Sequence, residues 1–222
     1  MRDQRARALD NPHAPGFNPL QPTEDVWVTR AKESRQNDLP ARLGARPLVL
    51  IGMMGAGKTT VGRRLAHRLG RHFVDSDEEI EKAANMTIPE IFESHGEAEF
   101  RSGEARVIAR LLRDEHIVLG TGGGAWINPD TRALIKAGAL SVWIKADLDL
   151  LYARVARRSN RPLLRTANPR ETLAALIETR YPIYAEADIT VVSRDVPQDQ
   201  VAEDIIAAAL AHLGTREPVD GR

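Results

Sequence analysis

The apolar run Leu48-Val49-Leu50-Ile51 is followed at once by Gly52-Met53-Met54-Gly55-Ala56-Gly57-Lys58-Thr59. This Gly-x-x-x-x-Gly-Lys-Ser/Thr spacing, set between a strand and a helix, leaves few folds open. The glycines let consecutive backbone N–H groups turn inward as a nest for an anion, and the following helix aims its positive dipole end at the same point. Lys58 supplies a full charge for the outer phosphates, and the Thr59 hydroxyl suits Mg²⁺. A phosphate-binding loop over Gly55, Ala56, Gly57, Lys58, Thr59 and Thr60 is therefore predicted, with a nucleotide as its ligand.

The rest of the chain reads as alternating strands and helices. Val61, Leu65, Ala66 and Leu69 recur at helical spacing, and Gly70 closes that helix. Phe73-Val74 forms a short strand that ends in Asp75-Ser76-Asp77, with an acidic helix start behind it. Short and long helices are expected over 88–94 and 97–115, the longer one turning Phe100, Ala105, Ile108, Leu111 and Leu112 inward. Gly103 within it costs about 1 kcal/mol relative to alanine, which close approach by another element or a ligand would justify. Ile117-Val118-Leu119 is a buried strand that leads into Gly122-Gly123-Gly124. Helices over 129–137, 147–156, 170–181 and 201–213 and strands over 140–144 and 189–192 complete the series. Short, fully apolar strands alternating with helices predict an α/β fold with a parallel sheet covered on both faces. In such sheets ligands bind beyond the carboxyl ends of the strands, so the loops after the first three strands should converge on one site.

Composition narrows the class. Lysine plus arginine and aspartate plus glutamate each number 31, leaving no global field to hold nucleic acid or an anionic membrane. The 222 residues contain no cysteine, which excludes disulfides and thiolate metal sites and fits a reducing, cytoplasmic setting. No apolar run approaches the roughly 20 residues that span a bilayer. Residues 1–46 hold Pro12, Pro15, Pro19, Pro22 and Pro40, with Val26-Trp27-Val28 as their one apolar cluster, and are expected to form a flexible extension. The catalytic domain is expected over 47–213 and a short tail over 214–222.

Asp75 and Asp77, two apart beyond a strand end, fit a metal-holding carboxylate and a proton acceptor. They fit equally an N-cap and a solvated acid at the start of the next helix. The glycine trio fits either a plain turn or close approach of a ligand to backbone N–H groups. The basic, proline-broken stretch 154–165 fits either a solvated loop or a lid that closes over phosphates.

Several of these pieces occur together, in order: Met54-Gly55-Ala56-Gly57-Lys58-Thr59-Thr60, Asp75-Ser76-Asp77, Gly96-Glu97-Ala98-Glu99-Phe100-Arg101, Thr121-Gly122-Gly123-Gly124, Arg161-Pro162-Leu163-Leu164 and Arg180-Tyr181-Pro182-Ile183-Tyr184. Together they resemble the shikimate kinase family over about 47–213. The resemblance implies a nucleoside-monophosphate-kinase-like P-loop fold with a mobile lid. It implies ATP-dependent phosphorylation of the shikimate 3-hydroxyl, a step toward chorismate and the aromatic amino acids, by a monomer whose partners are small molecules only. On it, Asp77 contacts the shikimate hydroxyls and serves as base, while Arg101, Arg180 and the Gly122–Gly124 backbone hold the carboxylate. Thr59 ligates Mg²⁺ directly and Asp75 through water. Arg161 is the lid arginine on the ATP phosphates, Arg154 lies against adenine, and Asp195 and Pro197 line the base pocket. Glu104 falls where it can orient Arg101. Alternatives from neighbouring classes are a gluconate or nucleoside monophosphate kinase and a non-catalytic nucleotide switch.

Overall fold

The computed structural model describes residues 38–156 and 166–214, all of which fall within one compact unit, Asn37–Arg222. The alternating pattern yields five strands, β1 (Leu48–Ile51), β2 (His72–Asp75), β3 (Ile117–Gly120), β4 (Leu140–Lys145) and β5 (Ile189–Val192). They form one sheet in the order β2-β3-β1-β4-β5, and every pairing is parallel. β1 and β3 are buried at every residue, as strands covered on both faces must be, whereas the edge strand β5 alternates buried and exposed.

The helices are α1 (Lys58–Leu69), α2 (Ser76–Ala84), α3 (Ile88–Leu111), α4 (Pro129–Gly138), α5 (Leu148–Ala156), α6 (Pro169–Tyr184) and α7 (Gln198–Gly214), with a 3₁₀ turn at Ala125–Ile127. The apolar stripe predicted on α1 is the buried one, Val61, Leu65, Ala66 and Leu69. Gly70 caps that helix in the left-handed region at φ 62° and donates to the Ala66 and His67 carbonyls. α1 and α7 pack on each other, and the 3₁₀ turn packs with α3, α4 and α6. Where α1 crosses β2 there is no room for a side chain at Gly62, because a Cβ would come within 2.3 Å of the Phe73 ring.

α3 contains the expected short and long helices and differs from expectation in its end and its inward face. A capping box between Thr87 and Glu90 opens it, and Gly96 interrupts it at φ 79°, ψ 172°, so a short piece before that glycine and a longer one after it meet at a kink. The second piece stops at Leu111 rather than 115 and buries Phe100, Glu104, Ile108 and Leu111, so an acid stands on the inward face and Ala105 is only half-buried. Gly103 has no close neighbour: a Cβ there would meet only Arg106 Nη2, at 3.8 Å. Among the described residues, no other element makes the close approach that would justify this glycine.

The described body also includes residues before Pro47, on the extension side of the boundary expected at residue 46. Residues 38–43 are helical, Leu39 and Leu43 belong to the main core, and buried Arg71 donates to the Gly44 and Arg46 carbonyls, both at 2.7 Å. The two leucines are four apart on one helical face, too brief a signal to stand out in a proline-rich segment. At the other end α7 continues through Gly214. Trp27 and the C-terminal stretch 215–222 lie outside the described residues.

Candidate active site

Strand register brings the expected loops together. Leu50 pairs with Gly120, and Gly120 pairs with Asp75, so β1, β2 and β3 end level with one another. Above those ends lies a cavity of about 1270 Å³ whose walls include Lys58, Thr59, Asp75, Asp77, Arg101, Glu104, Gly122–Gly124, Arg154 and Arg180.

The phosphate loop holds Gly55 at φ 83° and Gly57 at φ 99°, values that favour glycine over any residue with a Cβ. Gly57 is the N-cap of α1, and no side chain caps it, which leaves first-turn N–H groups for an anion. Lys58 Nζ donates to the Gly52 and Met53 carbonyls at 2.8 and 3.0 Å, folded back over its own loop. Thr59 Oγ1 donates to Asp75 Oδ2 at 3.1 Å.

Both readings of the Asp75–Asp77 pair have structural content. Asp75 is the N-cap of α2, accepting from the Asp77 N–H at 3.1 Å through Oδ1, while Oδ2 faces Thr59. Asp77 reaches the other way, toward the glycine loop. Ser76 between them is buried and accepts from the Gly122 N–H at 3.1 Å, tying the β2 loop to the β3 loop.

The glycine trio is the floor on which the acceptor-side residues rest. A Cβ on Gly122 would lie 2.7 Å from Asp77 Oδ1 and 3.1 Å from Glu104 Oε1; on Gly124, 2.6 Å from Arg101 Nη1; on Gly123, 3.5 Å from Arg180 Nη1. Side chains drawn from α2, α3 and α6 therefore meet over three consecutive residues. Arg101 is fixed from below by Glu104, whose Oε2 accepts from Nη1 at 2.8 Å, and from the exposed side by Glu97 at 3.3 Å. Burial pushes the Glu104 carboxyl above its ordinary range against the pull of Arg101, and the nearby charge of Asp77 pushes the same way. Arg180 Nη1 donates to the Gly123 carbonyl at 3.3 Å. An apolar wall of Ile88, Pro89, Phe92 and Phe100 closes the acceptor side.

Arg154 hydrogen-bonds Ser193 Oγ at 3.0 Å, the Arg194 carbonyl at 3.1 Å and, at longer range, the Gly55 and Ala56 carbonyls. Its guanidinium thus ties the phosphate loop to the loop after β5. Asp195 and Pro197 are exposed and stand outside the cavity wall, whereas Gln198 beside them lines it. Arg161 lies outside the described residues, as does most of the lid expected over 154–165. Ser76 and Tyr184 stand inside motifs quoted from the sequence but carry no assigned role there, and Gln198 belongs to none of them.

This arrangement can bind a nucleoside triphosphate at one end and a small hydroxylated carboxylate at the other, with a carboxylate (Asp77) between them. The sequence model of the shikimate kinase family matches residues 54–210. A shikimate kinase from Bradyrhizobium diazoefficiens is 57% identical over 180 residues, covering 81% of this chain and 87% of that protein. One from Rhodopseudomonas palustris is 54% identical over 197 residues, 88% and 97% of the two chains. Among solved structures, a shikimate kinase from Acinetobacter baumannii in complex with shikimate superposes with a TM-score of 0.74 at 40% identity, over 78% of this chain and 97% of that one. A gluconokinase from Sinorhizobium meliloti, 19% identical with a TM-score of 0.52, shares the fold alone. With the family's pattern matched over most of its length, the chain belongs to the shikimate kinase family.

Proposed function

We propose that this chain transfers the γ-phosphoryl group of ATP to the 3-hydroxyl of shikimate, giving shikimate 3-phosphate and ADP, with the residues gathered over Gly122–Gly124 as its acceptor site. The observation that carries the reading is the meeting of Asp77, Arg101 and Arg180 on that floor, opposite Lys58. A guanidinium fork matches a carboxylate in two-point contact, and two arginines from different helices fix the acceptor in one orientation. Asp77 then faces the acceptor hydroxyl. As the new O–P bond forms and the bond between the β–γ bridging oxygen and the γ-phosphorus breaks, Asp77 takes the hydroxyl proton and ADP leaves. Lys58 and the loop N–H groups stabilise the charge spread over the phosphates.

Thr59 and Asp75 present a hydroxyl and a carboxylate 3.1 Å apart beside the phosphate loop. Hard oxygen donors so placed, with room for water, suit Mg²⁺, Thr59 holding it directly and Asp75 through its water shell. When bound, the ion would neutralise phosphate charge. In the same reading Arg161 reaches the phosphates on lid closure, and Arg154, with Asp195 and Pro197, borders the base. Gly55, Ala56, Gly57 and Thr60 complete the phosphate cradle. The reading takes the enzyme to be a monomer. No described helix is long and apolar enough to cross a membrane, and the cysteine-free sequence suits the cytoplasm. Residues 1–37 would then be an extension outside the catalytic domain.

The test is ADP release from ATP and Mg²⁺ with shikimate, gluconate, a nucleoside monophosphate or no acceptor. Release that depends on shikimate supports the reading, and equal release with every acceptor overturns it.

A further inference from the structure

Tyr184 takes no part in the transfer itself, yet it stands where the two halves of the site touch. Its ring is wholly buried, and its hydroxyl donates to the Gly123 carbonyl in the glycine loop. That oxygen also accepts from Arg180 Nη1 at 3.3 Å. On its other side the hydroxyl lies 3.8 Å from Met53 Sδ. Met53 is buried too, and its carbonyl is one of the pair on which Lys58 Nζ rests. The loops are in direct contact here: a Cβ on Gly123 would lie 3.6 Å from the Gly52 carbonyl oxygen, the other member of that pair.

A phenylalanine would fill the same space without the cost of desolvating a hydroxyl, so packing alone does not account for tyrosine. Burial raises the pKa of the Tyr184 hydroxyl, which keeps it a neutral donor to Gly123. On the proposed reading, Lys58 exchanges its observed arrangement, folded onto the Gly52 and Met53 carbonyls, for a second one extended to a phosphate. Leaving the first removes a positive charge from the peptides that abut Tyr184 and Gly123. A two-state element biased by one ligand and touching the site of another is what coupling between sites requires.

We propose that Tyr184 is a positioning residue that couples nucleotide binding at Lys58 to acceptor binding at Arg180, through Met53 on one side and the Gly123 peptide on the other. The inference rests on the reading of the site as an ATP:shikimate phosphotransferase. It is tested on the full chain by titrating shikimate calorimetrically with and without saturating ADP, for the wild type, Tyr184→Phe and Met53→Leu. ADP changes the wild-type shikimate Kd by about fivefold or more. In Tyr184→Phe the Kd without ADP rises by about fivefold, and the ADP effect disappears. Met53→Leu keeps the volume, removes the sulfur and at least halves the ADP effect.

A wild-type Kd indifferent to ADP overturns the inference. So does a Tyr184→Phe protein that loses affinity or thermal stability while keeping the full ADP effect, the behaviour of a merely structural residue. Should Tyr184→Phe fail to fold, an undiminished ADP effect in Met53→Leu overturns it. Failure of the underlying reading shows separately, as wild-type protein that releases no ADP with shikimate.

Discussion

Arg101 lies directly over Gly124, its Nη1 and Nη2 within 2.6 and 2.8 Å of where a Cβ would stand. Gly124 itself has an ordinary backbone, φ −95° and ψ −19°, so alanine there strains nothing locally. Gly124→Ala should raise the KM for shikimate by about tenfold through displacement of Arg101, worth about 1.4 kcal/mol, and leave the melting temperature nearly unchanged. Steady-state kinetics with a thermal melt check both halves, and an unchanged KM would remove Arg101 from the acceptor site.

Lys58→Ala removes the charge beside the phosphates. Turnover should fall by about a hundredfold or more, with little change in melting temperature because the hydrogen bonds of the part-buried ammonium to the Gly52 and Met53 carbonyls lie within its own loop. Near-normal kcat would contradict the phosphate role.

Arg180→Lys keeps the positive charge and loses the fork. Shikimate KM should rise by about tenfold while the KM for ATP stays within about twofold, since only the acceptor loses a two-point contact. Equal effects on both substrates would place Arg180 elsewhere in the mechanism.

Glu104 gives a pH signature. Its folded pKa is raised, first by burial, so its contribution to stability is fully present below the unfolded value and is lost as pH rises through the folded one. Glutamine at this position does not titrate. The unfolding free energy of the wild type minus that of Glu104→Gln should therefore decline from acid pH upward across that window and then level off, as denaturant titrations at several pH values would record. A pH-independent difference would mean that Glu104 keeps an ordinary pKa.

Gly103→Ala should stabilise the protein by up to about 1 kcal/mol, because the helix gains a better former and, among the described residues, a Cβ meets only Arg106 Nη2, at an ordinary contact distance of 3.8 Å. A lower melting temperature would reveal a neighbour at this surface.

The sheet was legible because β1, β3 and β4 are short, largely apolar runs, with glycines at the ends of β1 and β3. Lys58, Asp75, Asp77 and the glycine trio were legible for a related reason: each stands at or a few residues beyond the end of a strand, and the rule for parallel sheets places such loops together. Arg101 and Arg180 follow no strand. They arrive from the middle of α3 and the end of α6, and their place in the sequence came from the family resemblance rather than from spacing. The inward position of Glu104 ran against hydrophobic patterning, since a buried acid is intelligible only once Arg101 is seen beside it. Ser76 and Tyr184 act through single hydrogen bonds across long stretches of chain, which leave no periodic trace.

Arg71 sets where the protein can be trimmed. Two of its nitrogens are spent on the Gly44 and Arg46 carbonyls, and Leu39 and Leu43 complete the hydrophobic interior nearby. Starting the polypeptide at Pro47, as the motifs alone would suggest, strips away both leucines and strands a buried guanidinium without acceptors, a costly loss. A shortened version meant for crystals or assays should keep everything from Asp38 onward, because Leu39, Leu43 and the Gly44 and Arg46 carbonyls, though far from the phosphate loop in sequence, are part of what holds the sheet in place.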